Sequence, residues 1–193
     1  MRSYFMFNYL LLVFLIPFAA PLVTDASLES SCSEQVVALA MNRTQCDVSY
    51  EPKYVVLEYP YGDVPENTGV CTDVIIRTYR QMGFDFQQAI HEDMKENFTV
   101  YPQHWGLKKP DKNIDHRRVP NLMHYLQTHG YSVSGKAEPG DILCWDLGGG
   151  LLHIGLVVDD DEGVYIVHNI GSGPQREAEH SGFKRIGHYR FCP

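Results

Sequence analysis

The sequence has no Cys-x-x-Cys pair among its five cysteines and no His-Glu-x-x-His run among its nine histidines. The first absence argues against a thioredoxin-like motif or a zinc knuckle, the second against a zinc site borne on one helix. Basic residues are few. With 16 Lys and Arg against 24 Asp and Glu the net charge is −8, and a general nucleic-acid binder needs a basic face. There is no internal repeat, no low-complexity tract and no Ser/Gly linker. Beyond residue 20 no stretch approaches the roughly 20 apolar residues of a membrane span.

What is present is ordinary globular composition, 44% hydrophobic and 21% charged over 193 residues. That suits one domain with a sizeable core. Residues 1–26 read as a secretory signal. Arg2 supplies the positive start, residues 5–20 are largely apolar, and Thr24 and Ala26 fit the −3 and −1 positions of a cleavage site. The alternative is an uncleaved anchor, but Asn8 and Pro17 break the apolar run. Residues 27–193 are then expected as a single exported domain, periplasmic or secreted, with no membrane span after cleavage.

Export permits disulfides, and five cysteines leave one thiol over. Cys71 is the expected odd one. The other four are expected as Cys32–Cys46 and Cys144–Cys192, one of the three connectivities that spacing allows.

Helices are predicted over residues 33–43, with Ser31 or Ser33 as cap, over 71–82, stopped by Gly83, over 85–96, and over 119–129, with Pro120 in the first turn and Gly130 as the stop. Residues 53–59 look extended. The last third changes period: 141–146, 152–158, 164–169 and 186–191 read as short strands between Gly- and Asp-rich turns. Helices followed by antiparallel strands imply an α+β fold, N-terminal helices packed on a C-terminal sheet or partial barrel.

A cysteine nucleophile needs a base to take its proton and a group to orient that base. Cys71 follows Gly69-Val70 where a helix begins, and a helix start lowers a thiol pKa. His153 lies in LLHIGLVV and His168 at the end of VYIVHN. Adjacent antiparallel strands can bring both rings to the helix start, His153 as base and His168 as its orienting partner. Asn169 is the rival third residue. Strand alternation puts it on the face opposite His168. On composition alone each of these residues also has a plain packing role.

YPYGDVPENTGVCTDV (residues 59–74) resembles the start of the NlpC/P60 cysteine-peptidase domain, with Tyr59 three before Gly62, Pro65 in the turn and Cys71 opening the helix. EPGDILCW, HIGLVV and VYIVHN are similar to that family's next three strands. The resemblance implies a papain-like fold, Cys71 as nucleophile, His153 as base, His168 as orienting residue and Tyr59 in the oxyanion region. Val70, Thr72-Asp73 and Asp63 depart from the family's Asp, Ser-Gly and Gly. GDVPENTGVCTDVIIRTYR, IHEDMKENF, NIDHRRVPNL, HNIGSGP and GHYRF are similar to blocks of the exported, mostly bacterial DUF1287 family across residues 45–193.

Three residues before the fourth helix, His116, Arg117 and Arg118, are substrate-binding candidates, because guanidiniums grip carboxylates in bidentate fashion. The alternative pairs both arginines with the chain's acids, such as Asp111 or Asp115. Asp73 either orders the helix start or pairs with Arg77. Trp105, Trp145 and Tyr101 are candidates to line a groove. His91-Glu92-Asp93 does not present one helix face, so no metal site is expected, and no cofactor.

The function expected is an exported cysteine hydrolase that cleaves amide bonds of peptidoglycan stem peptides. The alternatives are an acyltransferase or thioesterase on the same triad, and a non-catalytic cell-wall binding module.

Overall fold

The computed structural model describes residues 30–193 apart from positions 160, 162, 180 and 181. The signal segment expected over residues 1–26 lies outside the described residues. No described helix is long and apolar enough to cross a membrane.

Helix α1 (Cys32–Arg43) starts on a capping box. Ser31 Oγ accepts from the Glu34 N–H at 3.3 Å, and Glu34 Oε2 accepts from the Ser31 N–H at 2.6 Å. Its Val36 and Ala40, one turn apart, enter the core. Strands β1 (Ser49–Tyr50) and β2 (Thr68–Gly69) form a short parallel pair in which Tyr50 lies opposite Gly69. Helix α2 (Cys71–Gln81) is buried at every residue from Cys71 to Tyr79. Its cap, Val70, has no side-chain oxygen, so only the returning half of a box exists: Asp73 Oδ2 accepts from the Val70 N–H at 2.7 Å. Beyond its end Gly83 adopts φ 85°, a left-handed conformation that glycine takes without strain.

Helix α3 (Phe86–Asn97) is capped by Asp85 and buries Phe86, Ile90 and Met94 at intervals of four. Helix α4 (Val119–Thr128) has Pro120 in its first turn and buries Leu122, Tyr125 and Leu126. A 3-10 turn at Asp115–Arg117 precedes it.

Strands β3 (Ile142–Asp146), β4 (Leu152–Asp159), β5 (Tyr165–Asn169), β6 (Pro174–Ala178) and β7 (Lys184–Tyr189) form one antiparallel sheet in the order β6-β5-β4-β3-β7. It is an open sheet, not a closed barrel. Alternation divides its side chains. Ile142, Cys144, Ile154, Leu156, Val158 and Val167 join the helices in the main core. Leu143, Trp145, Val157 and Ile166 build a smaller cluster on the other face.

Asp141, just ahead of β3, ties in the chain's last strand. It is fully buried and accepts from Arg190 Nε at 2.7 Å, from Arg190 Nη2 at 3.0 Å and from the Glu138 N–H at 2.8 Å, with His188 Nε2 at 2.7 Å. Burial alone raises its pKa, but the bonds from Arg190 and His188 outweigh burial and hold it below the usual carboxylate range.

Two expectations, both disulfide pairings, are corrected. Cys32 is joined to Cys192, 160 residues away, rather than to Cys46. Cys144 faces the main core from the middle of the sheet and is free, as are Cys46 and Cys71. Residues 53–59, read as extended, belong to neither sheet. The Leu57 N–H donates to Asn113 Oδ1 at 2.9 Å instead. Strand β6 was not expected, because every residue after Pro174 is exposed and no apolar alternation marks it.

Candidate functional site

Cys71 is the first residue of α2, and its side chain is buried among core residues. The helix start is clamped from outside. Arg117 Nε and Nη2 donate to Asp73 Oδ1 and Oδ2 at 3.0 and 2.9 Å, a bidentate and almost fully buried pair. Thr72 Oγ1 donates to the Arg117 carbonyl at 3.1 Å. Arg117 also reaches the carbonyls of Lys53 and Glu51, both at 3.4 Å.

The thiol opens on a cavity of about 670 Å³ lined by Tyr50, Trp105, Arg117, Arg118 and Leu152. Arg118 lies over the Trp105 ring at 4.0 Å and gives one bond, at 3.3 Å, to Asp115. Burial, and then the Asp73 carboxylate, push the Cys71 thiol up to about 12, although the backbone N–H groups of Ile154, Thr72 and Cys71 itself favour the thiolate. The helix start therefore does not deliver the lowered pKa expected of it. Burial and a like charge outweigh the dipole. Burial, Cys71 and Asp73 raise the Tyr50 phenol as well, and Arg117 opposes them.

The two histidines meet on the neighbouring strands. The His153 Nε2–His168 Nδ1 distance is 2.7 Å, and the His168 Nε2–Glu177 Oε2 distance is 3.0 Å. Their side chains share the face that carries Trp145, which is paired with His153 across β3 and β4. They border a second hollow of about 280 Å³ with Trp145, Ile166, Glu177 and Phe183. Burial, then His168, pushes His153 down to about 4. Burial also lowers His168, partly offset by Glu177. Both rings are neutral at pH 7.

The structure thus brings His153 to His168, and Cys71 to the Ile154 N–H, one residue from His153. No hydrogen bond joins the thiol to either ring. Asn169 leaves β5 on the opposite side, as alternation requires, and donates to the Gly69 carbonyl at 3.4 Å rather than serving His153.

Tyr59 does not border the Cys71 cavity. Its hydroxyl donates to Glu92 at 3.2 Å and its ring meets His91 edge-on at 5.1 Å. The turn after it is held to the start of α3, where Asp85 and Gln87 accept from the N–H groups of Tyr61 and Gly62, each at 2.9 Å. His116 is not a cavity residue either. It is 2% exposed with Nδ1 unbonded, and burial, then Arg80, pushes it down to about 3. Arg117 borders the cavity but is committed to Asp73, an acid other than the two named from sequence. Asp73 orders the helix start, while Arg77 turns to Asp63 at 2.8 Å. Of the three aromatics, Trp105 borders the cavity, Trp145 lies on the other sheet face and Tyr101 is buried. No metal-capable group of three His, Cys, Asp or Glu exists among the described residues.

Two site residues were missed. Glu177 sits on the unexpected strand β6. Tyr50 reaches the cavity because β1 pairs with β2, two residues ahead of Cys71. No local pattern marks either one.

The family model for a domain of unknown function, DUF1287, matches residues 37–191. The chain belongs to the DUF1287 family. The Escherichia coli (strain K12) relative described as uncharacterized protein YijF is 47% identical over 150 residues, 74% of this chain and 73% of the relative. The DUF1287 match begins within α1 and covers every later element through β7, including Cys71, both histidines, Glu177 and the clamp at Asp73.

Proposed function

We propose that this DUF1287 domain is a papain-like cysteine hydrolase of the NlpC/P60 kind, acting outside the cytoplasm on amide bonds of peptidoglycan stem peptides. The observation that carries the reading is Cys71 itself. A thiol at the first residue of a buried helix opens on a cavity and abuts β4 beside His153, whose ring continues to His168 and Glu177. The Cys32–Cys192 bond accords with an oxidising, exported location.

With both partners neutral, the reaction starts as general-base catalysis rather than from a resting thiolate. Thiol and imidazole lie on opposite faces of the sheet with no hydrogen bond between them, so in this reading a bridging water carries the Cys71 proton to His153 as Sγ attacks the amide carbonyl. The tetrahedral oxyanion collapses to a thioester as His153 returns the proton to the leaving amine. Water, deprotonated by His153, then releases the acid and restores the thiol. Tyr50 replaces Tyr59 as the cavity tyrosine for the oxyanion. Arg118 replaces the His116–Arg118 trio as the contact for a substrate carboxylate, since Arg117 is already paired. Unchanged turnover in Arg118→Glu would remove Arg118 from that role.

The test incubates purified sacculi and soluble muropeptides with the protein and with Cys71→Ala, and reads released fragments by mass spectrometry. New fragments lost in the variant are expected, and their masses identify the bond. Absence of fragments from both substrates would sink the hydrolase. Product formed only with an added amine or alcohol would mean acyl transfer. A second reading, a non-catalytic wall-binding module, draws on the raised Cys71 pKa. It predicts sacculus binding that Cys71→Ala leaves intact, with no product under either condition.

A further inference from the structure

The chain from His153 to Glu177 carries its own directionality. A carboxylate oxygen only accepts, so the contact at 3.0 Å requires His168 to hold its proton on Nε2. A neutral imidazole with a proton on Nε2 has a lone pair on Nδ1. His168 Nδ1 therefore accepts at 2.7 Å, and the donor must be His153 Nε2–H. That leaves the lone pair of His153 on Nδ1, which has no hydrogen-bond partner among the described residues. Reversing any one of these bonds reverses the next, so the state of the buried ring follows from the outermost group.

We infer that Glu177 is a positioning residue that fixes His153 as its Nε2–H tautomer, and so makes Nδ1 the basic nitrogen. This rests on the hydrolase reading for its use in catalysis, but not for its existence. Glu177 itself is half exposed on an edge strand, and its neighbours along β6 are exposed. The buried rings are 4% and 7% exposed. The outer acid thus sets a proton position that solvent does not reach directly. A simple structural role for Glu177, such as holding β6 in place, needs no particular tautomer of His153.

The experiment reads imidazole nitrogen-15 shifts of the histidine-labelled protein, expressed from its full sequence, at pH 7.5, with His153→Gln and His168→Gln to assign the two rings. In the unaltered protein both rings are expected as Nε2–H. Glu177→Gln, whose amide oxygen still accepts, retains that pattern. Glu177→Lys, which only donates, switches both rings to Nδ1–H. A His153 found as Nδ1–H in the unaltered protein overturns the inference, as does a Glu177→Lys spectrum identical to the parent. Because the ring nitrogens are read directly, the result does not depend on turnover. An inactive protein with both rings as Nε2–H sinks the hydrolase and leaves the relay standing.

Discussion

Cys71 occupies a site where three nearby N–H groups invite a thiolate while burial and the Asp73 carboxylate refuse it. The refusal wins by a wide margin, so alkylation of this cysteine is expected to stay slow at pH 7 and to keep rising beyond pH 9. Mass spectrometry of the Cys71 peptide after timed iodoacetamide exposure reads this. A rate that levels off near pH 7 would mean a resting thiolate paired with a protonated His153. The histidine gives a second prediction. Its folded pKa, about 4, lies below its ordinary 6.5, so between those values the unfolded chain binds a proton that the native ring does not. Stability is full above pH 6.5 and falls as pH drops towards 4. His116, pushed down to about 3, adds to the same slope. Urea unfolding across that window should be less steeply pH-dependent in His153→Gln, and an unchanged slope would count against a buried neutral ring.

Among the elements, the start of α2 depends on a residue from the 3-10 turn 44 positions away. Both Asp73 and Arg117 are nearly excluded from water, so losing one partner strands a buried charge, at a cost of about 3–5 kcal/mol. Arg117→Leu is expected to destabilise by that amount in chemical denaturation. A change under about 1 kcal/mol would mean that Asp73 is satisfied by the Val70 N–H alone. The elements also show what was readable beforehand. The four helices were legible because Ser31, Pro120, Gly83 and Gly130 mark ends that obey local rules, and Phe86, Ile90 and Met94 repeat at helical spacing. Strands β3, β4 and β5 carry apolar runs. β6 carries none, since an edge strand with an exposed face needs only backbone pairing, and Glu177 was lost with it. Residues 53–59 showed the reverse: Val55, Val56 and Leu57 suit a strand, yet the Leu57 N–H donates to the Asn113 side chain rather than to a neighbouring strand. His153 with His168 was legible from alternation. Tyr50 and the Asp73–Arg117 clamp were not, because tertiary contacts across 21 and 44 residues leave no periodic trace.

For the whole molecule, the sheet is the dividing wall. One face packs on the helices and bears Cys71's surroundings, and the other holds the imidazoles and Trp145. The Cys32–Cys192 bond closes a loop of 160 residues around this arrangement. Chain-entropy arguments give such a loop about 5 kcal/mol of stabilisation, by restricting the unfolded state. Cys32→Ser should lose a large part of that in equilibrium unfolding, with the Cys71 cavity intact. A loss below about 1 kcal/mol would show that the unfolded chain is already compact.

That same bond makes the chain between Cys32 and Cys192 a covalent ring. A protease that nicks any exposed loop between positions 32 and 192 opens the ring without producing two molecules. The cut protein keeps its mass on a non-reducing gel and separates into fragments only after thiol is added. A chain closed in this way stays together after a cut that would separate an open one.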